Sequence, residues 1–321
     1  MLARLLALVL SAAAVVAMVA IVGCGSLGGG DYPTKQVTYL IPFDPGGQSD
    51  REARRQQPYL EKSLGQKVII DYKAGGGGAI GWGELVRAKP DGYLICGINI
   101  PHIILQPLQQ DVGYKTEEIL PVAFFQSTPL ALAVMKDSPY QSLQDFIDAA
   151  KKEPGKITIG GSGTFSGHHV ATLRLESVTG TKFEYVPFTG AAPQMTAFLG
   201  GHVDAVLANS DDVVKYKDQV RTLGFATAER FASLPDAPTL KEQGVDIIEG
   251  IDRGVAVPPN TPENVVKKLE AAFLELAKNP EIVEAQKKEG FVPLAMGAAE
   301  SKAHVEKLTG IYKELTAGLK K

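Results

Sequence analysis

Cysteine is scarce in this chain, and so are long runs of positive charge. The 321 residues include two cysteines, Cys24 and Cys96, and the formal net charge is −3. No block of basic residues interrupts this mildly acidic composition, so nucleic acid is not an expected partner. If Cys24 carries a lipid, Cys96 has no partner for a disulfide. Its apolar surroundings over 94–98 indicate a packed, unreactive thiol.

Motifs for metal binding and catalysis are missing as well. Gly76 to Gly81 satisfies G-x-G-x-x-G, but no acidic residue ends the following strand, as a dinucleotide site would require. Around Ser162 the pattern G-x-S-x-G fails, because position 164 is threonine. The five histidines show no metal-ligand spacing: His102, His168, His169, His202 and His304. We therefore expect neither an enzyme nor a bound metal or cofactor.

The first 31 residues predict export. Residues 5–23 carry no charge, and Ile21-Val22-Gly23-Cys24 resembles the lipobox cut by the lipoprotein signal peptidase. We predict a lipoprotein signal peptide over 1–23, lipidation of Cys24, and a flexible tether over 24–31. A plain transmembrane anchor is the alternative, since the apolar run approaches spanning length. Both interpretations place the rest of the chain outside the cytoplasm, attached to a membrane.

Alternating strand and helix patterns predict an α/β fold with parallel or mixed sheets flanked by helices. Strands are predicted at 36–42, 67–72, 93–98, 156–159, 183–187, 203–207, 220–225 and 254–257. Helices are predicted at 50–62, 80–88, 143–151, 168–178, 193–199, 262–278, 280–289 and 300–319. We expect the first helix to be interrupted at Pro58, and Thr261 to cap the helix that begins at Pro262.

Two long extended passages, near 122–134 and 247–257, are the predicted crossings between two domains. Domain 1 is then 32–126 plus 252–321, and domain 2 is 127–251. A chain that leaves a domain and returns to it makes a two-segment hinge. Such a hinge suits a clamshell that closes on a ligand.

Three loops share one construction: a strand, then glycines, then the start of a helix. They span 42–50, 73–80 and 160–167. Glycine lets backbone amides converge on a ligand, and a helix start adds unpaired amides with a partial positive charge. Each loop alone is typical of an ordinary turn, but three of them from both predicted domains indicate a shared cleft for a carboxylate or phosphate.

The chain also resembles the Bug or TctC family, the periplasmic binding proteins of tripartite tricarboxylate transporters. The resemblance covers nearly all of 32–310 and rests on motifs in order. They are Tyr32-Pro33-Thr34-Lys35, Pro42-Phe43-x-x-Gly46-Gly47-x-x-Asp50, Leu64-Gly65-Gln66, Gly75-x-Gly77-Gly78, Pro90-Asp91-Gly92-Tyr93, Pro154-Gly155-Lys156, Val186-Pro187-Phe188-x-Gly190, Leu199-Gly200-Gly201-x-Val203-Asp204, Leu234-Pro235-Asp236-x-Pro238-Thr239 and Pro258-x-x-Thr261-Pro262.

The resemblance implies a two-domain Venus-flytrap fold, of the type II-like periplasmic binding proteins. It implies capture of a small organic carboxylate, mainly by backbone amides and ordered waters, and delivery to membrane permease subunits. We expect a monomer. A subunit that presents its ligand to a membrane sensor stays open as an alternative, and so does a secreted hydrolase.

Carried over by motif and loop, the ligand-binding residues would be Phe43, Gly46, Gly47, Ser49, Asp50, Gly77, Asn99, Ser162, Gly163, Thr164, His169, Asp204 and Asn209. In this interpretation Phe43 packs, Gly46 and Gly47 offer amides, and Ser162 donates its hydroxyl. Asp50 either contacts the ligand or only begins a helix. Asp204 either meets a ligand amine or orders the adjacent loop.

The chain departs from the family pattern at two places. Tyr72-Lys73-Ala74-Gly75 replaces the usual Asn-Arg-Pro-Gly, and Asp252-Arg253 replaces an aromatic pair. Arg253 either pairs with Asp252 as a surface bridge or meets a ligand carboxylate. These departures leave the identity of the ligand open.

Overall fold

The computed structural model describes residues 32–319. The predicted signal peptide (1–23), Cys24 and the whole predicted tether (24–31) lie outside them. The strands are β1 Val37–Ile41, β2 Val68–Tyr72, β3 Leu94–Ile100, β4 Leu120–Met135, β5 Thr158–Gly161, β6 Glu184–Pro187, β7 Ala205–Asn209, β8 Val220–Phe225, β9 Gly250–Val257 and β10 Val292–Met296. The helices are α1 Gln48–Leu64, α2 Ala79–Arg87, α3 His102–Gln109, α4 Leu143–Lys152, α5 Gly167–Thr179, α6 Ala191–Leu199, α7 Ser210–Lys215, α8 Glu263–Ala277, α9 Pro280–Glu289 and α10 Ala298–Leu319.

The strands form two mixed sheets that share β4. The first sheet has the order β2-β1-β3-β9-β4, and β10 also pairs with β4. The second has the order β4-β7-β5-β6, and β8 also pairs with β4. Strands β1, β2 and β3 run parallel to one another in the first sheet, and β5, β6 and β7 do so in the second. Strands β4 and β9 run antiparallel to their neighbours. The predicted α/β class with mixed sheets is confirmed.

We call the two halves lobe 1, built on β1–β3, β9 and β10, and lobe 2, built on β5–β8. Strand β4 runs through both, because its residues up to Pro129 pair with β9 and those from Leu130 pair with β7. Each lobe buries apolar side chains on both faces of its sheet. Trp82 and Phe273 lie on opposite faces in lobe 1, and Phe146 and Phe198 do so in lobe 2. The domain limits 126/127 and 251/252 stay predictions.

Two local predictions were wrong. Helix α1 continues through Pro58. Pro58 has no amide hydrogen to donate to the carbonyl of Arg54. Both residues are exposed, so this carbonyl faces water. Thr261 does not cap α8, because its hydroxyl donates to the carbonyl of Pro258 at 2.8 Å and the helix begins at Glu263. Helices α3 and α7 and strand β10 were not predicted.

Across residues 32–319, none of the helices combines the length and the apolar character needed to cross a membrane.

Candidate functional site

The two lobes meet where their parallel strands end. Phe43 follows β1, Asn99 lies near the end of β3, and Ser162 follows β5. The carboxyl ends of parallel strands are where ligands bind in open α/β sheets. All three side chains line one cavity of about 20 Å³ between the lobes. The other residues of its wall are Gly47, Gln48, Ser49, Ala191, Ile251 and Arg253.

Two helices begin at this cavity. Helix α1 starts after Gly47 and α6 after Gly190, and within the described chain no side chain caps either start. The first amides of a helix have no intrahelical partner and carry a partial positive charge. A Cβ on Gly47 would lie 3.9 Å from the amide nitrogen of Ala192, so the two starts face each other across the lobes. The arrangement suits an anion.

The lobes touch each other around the cavity. Gly77 and Gly163 have φ angles of 64° and 93°, and a Cβ on Gly163 would lie 2.8 Å from Cα of Gly77. The carbonyl oxygen of Thr164 joins this contact, 3.5 Å from a Cβ placed on Gly77. Asp44 and Thr189 add a hydrogen bond between the lobes. Because about 20 Å³ holds roughly one water, this is a closed form that must open for a larger ligand.

Ser162 is held by His168. The Nδ1 atom of His168 lies 2.9 Å from the Ser162 amide nitrogen and 2.7 Å from its Oγ. Burial, with a smaller contribution from the nearby Arg253 guanidinium, lowers the pKa of His168 to about 3. The Nε2 atom of His168 has no partner within residues 32–319. So weak a base does not suit proton abstraction at neutral pH.

A buried polar cluster joins the lobes beside the cavity. Gln48 of α1 donates through Nε2 to Asp211 Oδ1 at 2.9 Å and to Asp212 Oδ2 at 2.8 Å. Arg51 forms an ion pair with Asp211. Burial, with a further contribution from the Asp211 carboxylate, raises the pKa of Asp212 to about 7. Burial also raises the pKa of Asp211. The cluster therefore ties α1 of lobe 1 to α7 of lobe 2.

Arg253 lies against the same cluster. Its side chain is buried, and it donates to Thr128 Oγ1 and, at 3.3 Å, to Gln48 Oε1. Asp252 instead pairs with His304 Nε2 at 2.8 Å, because neighbouring residues on a strand point to opposite faces. Arg253 is therefore no part of a surface bridge with Asp252. Lys73, at the other departure from the family pattern, pairs with Glu84 at 3.4 Å on the surface.

The structure brings most of the predicted site residues together. Phe43, Gly47, Ser49, Asn99 and Ser162 line the cavity. Three more, Gly77, Gly163 and Thr164, form the contact between the lobes. Asn209 is buried next to the cluster, where its Nδ2 lies 3.4 Å from Asp212 Oδ2.

Four predicted residues have other partners. The Gly46 amide donates to Asp50 Oδ2 at 2.7 Å, and Asp50 also accepts from Arg54 Nε at 2.7 Å. His169 accepts from the Phe165 amide at 3.1 Å and stacks on Tyr185 at 4.4 Å between ring centroids. The Asp204 carboxylate is exposed and accepts from the Thr158 amide and hydroxyl at 2.8 and 2.7 Å. Asp204 thus lies at the amino end of β7, away from the cavity.

Sequence reasoning missed Gln48, His168, Asp211 and Asp212. The phase of α5 decides which of His168 and His169 faces Ser162, and the sequence leaves that phase open. The adjacent acids after the strand that ends at Asn209 were a visible signal. Nothing in the sequence shows that they meet Gln48 from the other lobe.

These features are those of a two-lobed binding protein whose cleft suits an anion. The family model described as "Tripartite tricarboxylate transporter family receptor" matches residues 52–311. The chain belongs to this family, TctC, and the predicted resemblance is confirmed. Its members and structural neighbours are periplasmic solute-binding proteins, not enzymes.

Individual relatives and solved structures are similar to this chain over most of its length. A protein from Agrobacterium vitis, "UPF0065 protein in the TAR-I ttuE-ttuC' intergenic region", is 30% identical over 295 residues, covering 88% of this chain and 85% of the relative. The solved structure of periplasmic binding protein BugD is 26% identical with a TM-score of 0.85, covering 90% and 98%. "R. palustris Rpa4515 with adipate" is 25% identical with a TM-score of 0.83, also covering 90% and 98%.

Proposed function

We propose that this chain captures a small organic carboxylate between its lobes and passes it to the membrane permease subunits of a tripartite tricarboxylate-type transporter. One observation carries the proposal: the starts of α1 and α6 converge on the cavity between the lobes, with Arg253 in its wall. Two helix starts and a guanidinium supply positive potential and N–H donors to a single anionic group.

The ligand of a similar protein favours a carboxylate over phosphate as the ligand of this chain. The similar protein Rpa4515 was solved with adipate. In this chain the proposed contacts are the backbone amides of Gln48, Ser49 and Ala191, the Ser162 hydroxyl and the side-chain amide of Asn99. All five residues lie in the cavity wall. Phe43 packs beneath them against Trp82, with 6.0 Å between ring centroids.

A thermal-shift screen of the full chain in detergent tests the capture step. The probes are succinate, glutarate, adipate, citrate, hexanoate and inorganic phosphate. A ligand at 100 times its Kd adds about 2.7 kcal/mol to the free energy of unfolding, which a melting curve resolves. We expect a shift with at least one carboxylate, a smaller one with phosphate, and no chemical change in the bound compound. No shift with any carboxylate would contradict the proposal.

Delivery to a transporter, a monomeric state and a lipid anchor at Cys24 belong to the same proposal. A lipid and a glycine tether over 24–31 would keep the capture domains beside the membrane. Uptake of the bound carboxylate should be lost when either this chain or the permease subunits are deleted. If uptake persists and a transcriptional response to the carboxylate is lost, the sensor alternative takes its place.

A further inference from the structure

Arg253 is a buried cation whose hydrogen-bond partners among the described residues are all neutral. The residue is 4% exposed. Its hydrogen bonds go to Thr128 Oγ1, to the Ile251 carbonyl at 3.4 Å and to Gln48 Oε1 at 3.3 Å. Its Nε has no partner in the part of the chain that the structure describes. Burial lowers the pKa of Arg253 to about 10, so it stays charged at neutral pH.

The nearest carboxylates are engaged elsewhere. Asp211 is paired with Arg51, and Asp212 accepts from Gln48 and Asn209. Gln48 lies between these acids and Arg253, and its amide group donates to both acids while its oxygen faces Arg253. No carboxylate of residues 32–319 makes an ion pair with Arg253. A buried charge without a direct counter-ion is costly, and arginine is rarely buried unless it is paired.

The position of Arg253 indicates which kind of group would pair with its guanidinium. The side chain lines the cavity between the lobes, together with Ser162 and the start of α1. It also lines a second cavity of about 10 Å³ with Asn99 and Ser49. Strand β9 holds it in place by pairing with both β3 and β4. The guanidinium is thus held beside the position that an anion bound by the helix starts would occupy.

We propose that Arg253 is a specificity-determining residue, whose guanidinium is the direct counter-charge of an ionised carboxylate at the buried end of the ligand. This rests on the proposed function and deepens it: the captured class consists of acids bound as anions, and neutral groups of the same shape are rejected. An amide would leave the buried guanidinium without a counter-charge, and so be bound far more weakly.

The test compares each diacid with its diamide: succinate with succinamide, glutarate with glutaramide, and adipate with adipamide. Affinities are measured by calorimetry on the full chain in detergent, for wild type and Arg253→Gln. We expect wild type to prefer the tightest diacid over its amide by about 100-fold or more, and Arg253→Gln to reduce this ratio at least about 10-fold. Arg253→Lys, which keeps the charge, should retain most of the preference. The control is Arg174→Gln, which removes the cation paired with Glu249 at 2.7 Å and should leave the ratio unchanged.

A measurement on wild type covers the case in which Arg253→Gln fails to fold. The Nε–H resonance of Arg253, assigned by its loss in Arg253→Lys, should shift on adding the diacid and not on adding the diamide. If the diacid binds but neither the ratio nor the resonance changes, Arg253 only braces the cluster and this inference is wrong. If no diacid binds wild type, the proposed function fails first, and this inference fails with it.

Discussion

Replacing Gly163 by alanine should prevent the lobes from closing. In the closed form the added Cβ would lie 2.8 Å from Cα of Gly77, a backbone atom that cannot rotate away. The φ angle of 93° adds strain, because an L side chain rarely adopts it. The strain is present in open and closed forms alike, whereas the clash exists only in the closed one. If the lobes make this contact again around a bound ligand, the clash opposes ligand binding in particular.

The size of the effect follows from the clash. Overpacking by one methyl group costs about 1–3 kcal/mol. If that cost falls on the closed form alone, the affinity for a carboxylate decreases about 5- to 150-fold. Backbone strain should lower the free energy of unfolding by a further 1–2 kcal/mol, roughly.

Gly180→Ala is the matched control. Gly180 ends α5 in the same lobe with a φ angle of 68°, and a Cβ there meets no atom of the described chain within 4 Å. It should lower stability by a similar amount and leave affinity unchanged. Calorimetry with the diacid that binds wild type most tightly gives the affinity, and urea unfolding gives the stability. If Gly163→Ala binds that diacid as tightly as Gly180→Ala does, closure through the Gly77–Gly163 contact is not part of binding.

Three further predictions address other parts of the molecule. Asp204→Ala should lower the free energy of unfolding by about 1 kcal/mol, since Thr158 loses its acceptor, but in calorimetry should not weaken binding of the diacid that binds wild type most tightly; a large loss of affinity would show that Asp204 contributes to ligand binding. The pKa of Asp212 is raised to about 7, so the folded chain binds this proton more tightly than the unfolded chain, and the stability of wild type relative to Asp212→Asn should decline as the pH rises from about 4 to about 7; urea unfolding at each pH checks this, and a constant difference would contradict it. Cys24→Ser should move the chain from the membrane fraction to the aqueous phase of a detergent partition, and mass spectrometry should find no lipid; equal membrane association would favour the plain anchor.

The sequence predicted the site at the level of loops and not of side-chain partners. Glycines follow β1 and β5 and precede α2. They mark places where the backbone approaches another segment or a ligand closely, and such places can be recognised directly in the sequence. Gln48 and Asp211 are 163 positions apart, and only the folded lobes bring them together. Asp204 illustrates the same limit: the family motif left open whether it meets a ligand amine or orders the adjacent loop, and its contacts with Thr158 at the amino end of β7 favour the second alternative.

The course of most strands and helices could be predicted, whereas the side-chain partners in the site could not. Strand and helix periodicities are local, so β1 to β3 and α8 to α10 could be read from spacing. The antiparallel course of β4 and β9 depends on pairing between distant segments. The exposed side of Pro58 and the use of Thr261 by a preceding turn also depend on surroundings that a single sequence does not display.

A crystal structure of the chain with the tightest-binding diacid tests the central claim most directly. We expect one carboxylate between the starts of α1 and α6, within about 3.2 Å of their first amides and of the Arg253 guanidinium. A diacid bound elsewhere, or a carboxylate that contacts neither helix start, would contradict the proposed role of the cleft.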